Sequence, residues 1–118
     1  MKTLEELGFE LRHIGINCEN ENEADGVAQA FDDMFGFKKK AGNSSIFAGT
    51  AVEAMKEPYL GAKGHIAIGT TDVAAAVEYL EGKGVKFNKD SAKYKEEKLT
   101  AIYVEREIGG FAVHLVQK

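Results

Sequence analysis

The sequence has few of the features that mark secreted, membrane-spanning or nucleic-acid-binding proteins. Its 118 residues include one cysteine, Cys18, so no disulfide can form within the chain. Without a disulfide framework or a signal peptide, we expect a protein of the reducing cytoplasm. No apolar run approaches the roughly 20 residues that a membrane-spanning helix needs, so we expect no membrane partner. The net charge of −4 argues against a broad nucleic-acid surface, and we expect no nucleic-acid partner.

The remaining composition is that of an ordinary globular protein. Hydrophobic residues make up 44% of the chain and charged residues 29%. These fractions and the length suit one domain, over residues 1–118, that buries its own core.

One sequence pattern occurs twice. The stretches HIGIN at 13–17 and HIAIG at 65–69 each place a histidine first and isoleucines at alternate positions, which is typical of a β-strand. A helical stripe with apolar spacings of four and then three follows each strand. The stripe residues are Ala24, Val27, Phe31, Met34 and Phe35 in the first copy, and Val73, Val77 and Leu80 in the second. Asp72, directly before the second stripe, is a candidate N-cap.

Three short strand-like segments follow each helix, so the order β-α-β-β-β occurs twice. Module one covers about residues 10–60 and module two about 64–118. We therefore predict an α+β fold in which two pseudo-symmetric βαβββ modules form a curved, open mixed β-sheet cleft with helices outside. Residues 1–10 are predicted to be a leader with a short helix, and 89–98 a charged, mobile hairpin loop.

The histidines are the first candidates for chemistry. Alternation places the isoleucines of each first strand under the helix and turns His13 and His65 to the opposite face, beside small residues. His114, in the last strand of module two, has a small neighbour on its own side as well. If the two halves of the sheet curve toward each other, these imidazoles share one cleft.

Glu53 lies in the strand of module one that matches the strand of His114. Three imidazoles and one carboxylate suit a divalent transition metal such as zinc, nickel, iron or manganese. We therefore predict a metal site of His13, Glu53, His65 and His114. The alternative is that each histidine is an ordinary structural or surface residue and that Glu53 is a solvated residue of an edge strand.

Three other features have less specific interpretations. The turn at 43–45, Asn-Ser-Ser, either binds a carboxylate or phosphate or is simply a polar turn. Cys18 shares a strand face with isoleucines, which favours buried packing over nucleophilic chemistry. Tyr103 is the one tyrosine on a strand that could line the cleft.

The doubled plan, with HIGIN, GHIAI and GGFAVHLVQ, resembles the vicinal oxygen chelate superfamily over about residues 10–118. This superfamily includes glyoxalase I, methylmalonyl-CoA epimerase, extradiol dioxygenases, and fosfomycin- and bleomycin-resistance proteins. The resemblance implies a glyoxalase-like domain, a homodimer, and metal ligands at His13, Glu53, His65 and His114. The family usually has glutamate at the last of these positions, and a histidine there lowers the negative charge of the site.

The resemblance implies a lyase or isomerase that acts on a small vicinal-oxygen substrate, such as a 2-oxo acid or a hemithioacetal. The catalytic base is then Glu53, or a histidine that does not bind the metal. The alternative is a non-catalytic module that binds a small molecule, as bleomycin-resistance proteins do.

A narrower resemblance suggests a third role. The segments NSSIFAG, PYLGAKGHIAIGT and EIGGFAVHLVQK resemble the small domain fused to 2-dehydro-3-deoxyphosphogluconate/4-hydroxy-2-oxoglutarate aldolases in some Gram-positive bacteria. This resemblance implies an accessory domain with an aldolase as its partner.

Overall fold

A computed structural model describes residues 2–118 and contains eight strands and three helices. In chain order the elements are α1 (Leu4–Leu7), β1 (Glu10–Asn17), α2 (Glu21–Phe35), β2 (Lys39–Ala41), β3 (Ser45–Ala48), β4 (Val52–Met55), β5 (Gly64–Thr70), α3 (Val73–Glu81), β6 (Phe87–Lys95), β7 (Lys98–Val104) and β8 (Phe111–Gln117). The strands form one sheet in the order β2-β3-β4-β1-β5-β8-β7-β6.

The predicted α+β architecture is confirmed. Each half of the sheet has the same internal order, because β1 pairs in parallel with β4 as β5 does with β8. All other strand pairs are antiparallel, so the sheet is mixed and open. The first strands of the two halves, β1 and β5, pair with each other. This pairing sets the histidine-bearing strands side by side at the centre of the sheet.

Helix α2 covers the first half of the sheet. Its N-cap Asn20 accepts a hydrogen bond from the backbone of Glu23, and Gly36 ends it in the left-handed conformation. Ala24 and Ala28 are fully buried beside Cys18, which is 1% exposed. Burial of Cys18 agrees with its predicted packing role.

The apolar stripe predicted for α2 is wrong in its last turn. Met34 and Phe35 are 68% and 61% exposed. The ring of Phe35 contacts two other aromatic rings, those of Phe31 and Phe37. Helical spacing identifies the side of a helix that is apolar, but it does not show how far along its axis the sheet extends beneath it.

Helix α3 and the short helix α1 cover the second half. Asp72 caps α3 by accepting from the backbone of Ala75, as the sequence predicts. The core beneath joins Leu7 of α1 to Val73, Ile102 and Leu115. Among residues 2–118, no helix is both long and apolar enough to cross a membrane.

The hairpin predicted over residues 89–98 is present, but its loop is much shorter than predicted. Residues 89–95 continue β6, and β7 begins at Lys98, so only Glu96 and Glu97 form the turn. Both have positive φ, 51° and 71°, as a two-residue hairpin turn requires. The many charged residues suggested a loop, but this ribbon is largely exposed and its charges are solvated.

Candidate metal centre

Strand register brings the three histidines together on the face of the sheet opposite the helices. Ala67 of β5 pairs with His13 of β1 on one side and with His114 of β8 on the other. In the next row, His65 lies between Gly15 and Ala112. Ala67 therefore leaves space between His13 and His114, and Gly15 and Ala112 leave space on both sides of His65.

The imidazoles and the carboxylate meet at close range. The Nε2 atoms of His13 and His65 lie 3.2 Å apart. Oε1 of Glu53 lies 3.1 Å from the Nε2 of His65 and 3.4 Å from that of His13. One nitrogen from each of the three histidines, His114 included, lies within 4.8 Å of the others. Glu53 joins this cluster through His13 and His65.

Both oxygens of Glu53 are engaged. Oε1 faces the two imidazoles, and Oε2 accepts a hydrogen bond of 2.7 Å from Oγ of Ser45. Burial raises the pKa of the Glu53 carboxyl, but the hydrogen bonds of His13, His65 and Ser45 outweigh it and hold that pKa well below its ordinary value. Glu53 is therefore a carboxylate at neutral pH.

His114 is neutral and has a nitrogen without a partner. Burial, together with the neighbouring His65 and His13, lowers the pKa of His114 to about 4. Its Nε2 is buried and has no hydrogen-bond partner within the described chain. The ring of Tyr103 stacks on it, with centroids 4.5 Å apart and planes 16° apart. A buried imidazole nitrogen without a hydrogen-bond partner is well suited to bind a metal, because only the neutral form of imidazole binds a metal.

Gly15 leaves the space that His65 occupies. A Cβ atom at Gly15 would come within 2.6 Å of Nε2 of His65 and closer still to its Cε1. His65 is 4% exposed, so its ring lies beneath the cleft surface and over β1.

The donor set fits a transition metal in both chemistry and spacing. Donor atoms held about 2.1 Å from one ion with near-tetrahedral or octahedral angles are about 3.0–3.4 Å apart. The three distances among His13, His65 and Glu53 fall between 3.1 and 3.4 Å. His114 supplies a third nitrogen within 4.8 Å. The four residues could therefore hold a divalent ion of the zinc, nickel, iron or manganese class.

The structure brings together the side chains of His13, Glu53, His65 and His114, as predicted from the sequence, and it places Tyr103 beside them. Ser45, which supports Glu53, was considered only as a member of the polar turn at 43–45. Its neighbours Asn43 and Ser44 instead line a cavity of about 520 Å³ next to Lys56.

Comparisons with known proteins identify the fold. No protein-family model matches the chain, and no curated protein matches it. Solved structures do match. A methylmalonyl-CoA epimerase in complex with methylmalonyl-CoA and NH4+ is 19% identical, and the match covers 92% of this chain and 93% of that one, with a TM-score of 0.61.

Two further structures agree. The methylmalonyl-CoA epimerase of Mycobacterium tuberculosis is 16% identical over 99% of this chain and 92% of its own, with a TM-score of 0.60. A hypothetical protein from Bacillus halodurans C-125 is 17% identical over 94% and 95%, with a TM-score of 0.63. The chain therefore has the same fold as these methylmalonyl-CoA epimerases, which is consistent with the vicinal oxygen chelate fold that the sequence resemblance implies.

Proposed function

We propose that this chain binds one divalent transition metal through His13, His65, His114 and Glu53, and acts as a lyase or isomerase on a small substrate with adjacent oxygens. The observation that supports this most is the meeting of three imidazole nitrogens within 4.8 Å on one face of the sheet. Such a metal supplies Lewis-acid polarisation of a substrate oxygen. The isomerase class is that of the epimerases with the same fold.

The net charge of the metal ion and its four ligands limits the class of substrate. Three neutral imidazoles and one carboxylate leave a divalent ion with one net positive charge. A site with two carboxylate ligands would be neutral. We therefore propose an anionic ligand with adjacent oxygens, of which a 2-oxo acid is the simplest. The histidine at position 114 is the residue that makes this difference.

Glu53 is the proposed base. An isomerase of this kind needs a group that removes a proton from the carbon beside a carbonyl, after which a proton is returned to the substrate. Glu53 is the one carboxylate that contacts the imidazole cluster within residues 2–118. Because Oε1 of Glu53 faces His13 and His65, the substrate proton would be transferred to Oε2. The hydroxyl of Ser45 would first give up its hydrogen bond to that oxygen.

The same contacts support an alternative, a module that binds a small molecule without turning it over. A carboxylate that accepts hydrogen bonds on both oxygens is a weak base, so Glu53 could serve only as a ligand.

The homodimer and the aldolase partner stay predictions. Sedimentation of the purified protein tests the first, and co-purification with an aldolase tests the second.

Metal content tests the proposed site. We expect the purified, untagged protein to carry about one transition-metal ion per chain by mass spectrometry, and His65→Ala to carry almost none. Tyr103→Phe is the matched control, because it keeps the ring that stacks on His114 and removes only a hydroxyl. Wild-type protein that stays metal-free after loading with zinc, nickel, iron and manganese in turn would contradict the proposal.

Proton exchange separates catalysis from binding. In D2O, the metal-loaded protein should exchange the protons beside the carbonyl of 2-oxobutanoate, and NMR follows the loss of their signal. Because general-base catalysis contributes about 10²–10⁴-fold, Glu53→Gln should slow this exchange at least about 100-fold while the three histidines retain the metal. The exposed Glu57→Gln variant is the control.

Exchange that persists in Glu53→Gln would place the base elsewhere. If the wild-type protein binds 2-oxobutanoate but exchanges no proton, the non-catalytic alternative is correct.

A further inference from the structure

The second half of the sheet has an apolar groove on the face opposite the histidines. Six residues define this back groove: Phe9, Ile68, Val85, Val104, Ile108 and Val113. Its volume is about 680 Å³, and Leu115 lies at its base. Sites for small molecules usually measure roughly 300–1,000 Å³ and are mostly apolar. Ile68 and Val113 lie on the strands of His65 and His114, so the sheet separates the back groove from the metal cluster.

The groove is open because α3 ends early. Helix α3 has nine residues whereas α2 has fifteen. Leu80 and Lys83 line the groove at the end of α3, and Gly84, with φ of 92°, turns the chain away. Ile108 is 52% exposed, and the other five lining residues are partly exposed. Partly exposed apolar side chains around a concave surface are the usual lining of a small-molecule site.

The rim of the groove is positively charged. Lys83, Lys86 and Arg106 line it, with Glu105 as the one acidic residue among the lining positions. None of the three cations takes part in an ion pair within residues 2–118. The local charge is thus positive although the whole chain carries −4. An anionic group at this rim would meet cations that have no other anionic partner.

The end of α3 presents few free carbonyls to such an anion. The carbonyls of Glu78, Leu80 and Glu81 accept hydrogen bonds from the backbone N–H groups of residues 82–85. Negative partial charge at a helix C-terminus comes from carbonyls without a partner. Because these carbonyls already accept hydrogen bonds, they repel an anion beside Lys83 and Lys86 less strongly.

We propose that the back groove binds a medium-chain carboxylate, with the alkyl chain against Ile68, Val104 and Val113 and the carboxylate at Lys83, Lys86 and Arg106. The apolar lining selects the chain, and the cationic rim selects the charged end. This site is independent of the metal cluster, since the two lie on opposite faces of β5 and β8. A carboxylate in the groove and a metal at the histidines can therefore be bound at the same time.

Calorimetry with decanoate tests the proposal. Wild-type protein treated with EDTA should bind about one decanoate per chain, and at least tenfold more tightly than butyrate or the uncharged 1-decanol. The Lys86→Glu, Arg106→Glu double variant should bind decanoate at least tenfold more weakly. Lys38→Glu, Lys40→Glu is the matched control, because it reverses two exposed charges on the other module and should leave the affinity unchanged.

NMR places the ligand. Decanoate should shift the backbone amide signals of Val85 and Ile108, and His65→Ala should leave the affinity for decanoate unchanged. Affinity lost in His65→Ala, or unchanged in the rim double variant, would overturn the proposal. It would also fail if decanoate does not bind the wild-type protein, whether sedimentation finds a monomer or a dimer.

Discussion

A protein with alanine in place of Gly15 is expected to fold and to bind the proposed divalent metal about 100-fold more weakly, which is the upper end of what changes beside a metal ligand cost. The new Cβ would lie within 2.6 Å of Nε2 of His65, closer than real Cβ contacts allow. The backbone of Gly15 is not in the left-handed region, so alanine adds no backbone strain there. The imidazole must move instead, and it carries its nitrogen away from His13 and Glu53.

Gly69→Ala is the matched control for this prediction. Gly69 lies on the same face of β5 as His65, and its added Cβ would meet only side-chain carbons of Arg12 and Lys118 among its nearest atoms. Arg12 is flexible and half exposed, so it can shift at little cost. Calorimetric titration with zinc, and circular dichroism to verify folding, would compare the two variants. Equal zinc affinity in Gly15→Ala and wild type would show that His65 is not a ligand.

The doubled fold could be predicted because its signals are local. Alternation in β1 and β5 and the Asp72 cap of α3 each depend on a few neighbouring residues. The length of the strands in the β6–β7 hairpin was underestimated for the converse reason. Its pairing joins residues from two strands, and its charged side chains face water on an exposed ribbon, so composition alone resembled a loop.

The candidate site was predictable in part for the same reason. Because side chains alternate between the two faces of a strand, the sequence predicts which face each of His13, His65 and His114 occupies. The repeat indicates that these side chains come together in one cleft. Register between distant strands is not encoded locally. It sets Ser45 opposite Met55 on the neighbouring strand, which brings its hydroxyl to Glu53. The back groove was missed as well, because it depends on where α3 stops relative to the strands beneath it.

The second large effect concerns the strand pair that joins the two halves of the sheet. Gly64 begins β5, opposite Ile16 of β1, and has φ of 152°. A Cβ atom there would come within 2.8 Å of the carbonyl carbon of Gly15 and closer still to its oxygen. These are backbone atoms of the neighbouring strand, so no side-chain rotation relieves the clash. Relief requires β1 and β5 to separate where the modules meet.

We expect Gly64→Ala to lower the free energy of unfolding by about 4 kcal/mol or more, a value at the extreme of single substitutions. Small proteins have about 5–15 kcal/mol in total, so the variant should be largely unfolded in mild urea. Urea titration followed by circular dichroism measures the difference.

Two other glycines separate the causes of this loss. Gly84 also has positive φ, at 92°, but a Cβ there meets no atom within 4 Å, so Gly84→Ala should cost only the backbone strain of about 1–2 kcal/mol. Gly26 lies within α2 with open space around it, and Gly26→Ala should stabilise the protein by about 0.5–1 kcal/mol.

If Gly64→Ala costs no more than Gly84→Ala, close contact between β1 and β5 at this point is not what holds the two halves together. A much larger cost for Gly64→Ala assigns most of the difference to that contact, because both variants place alanine at a positive φ and only the methyl group at position 64 meets backbone atoms.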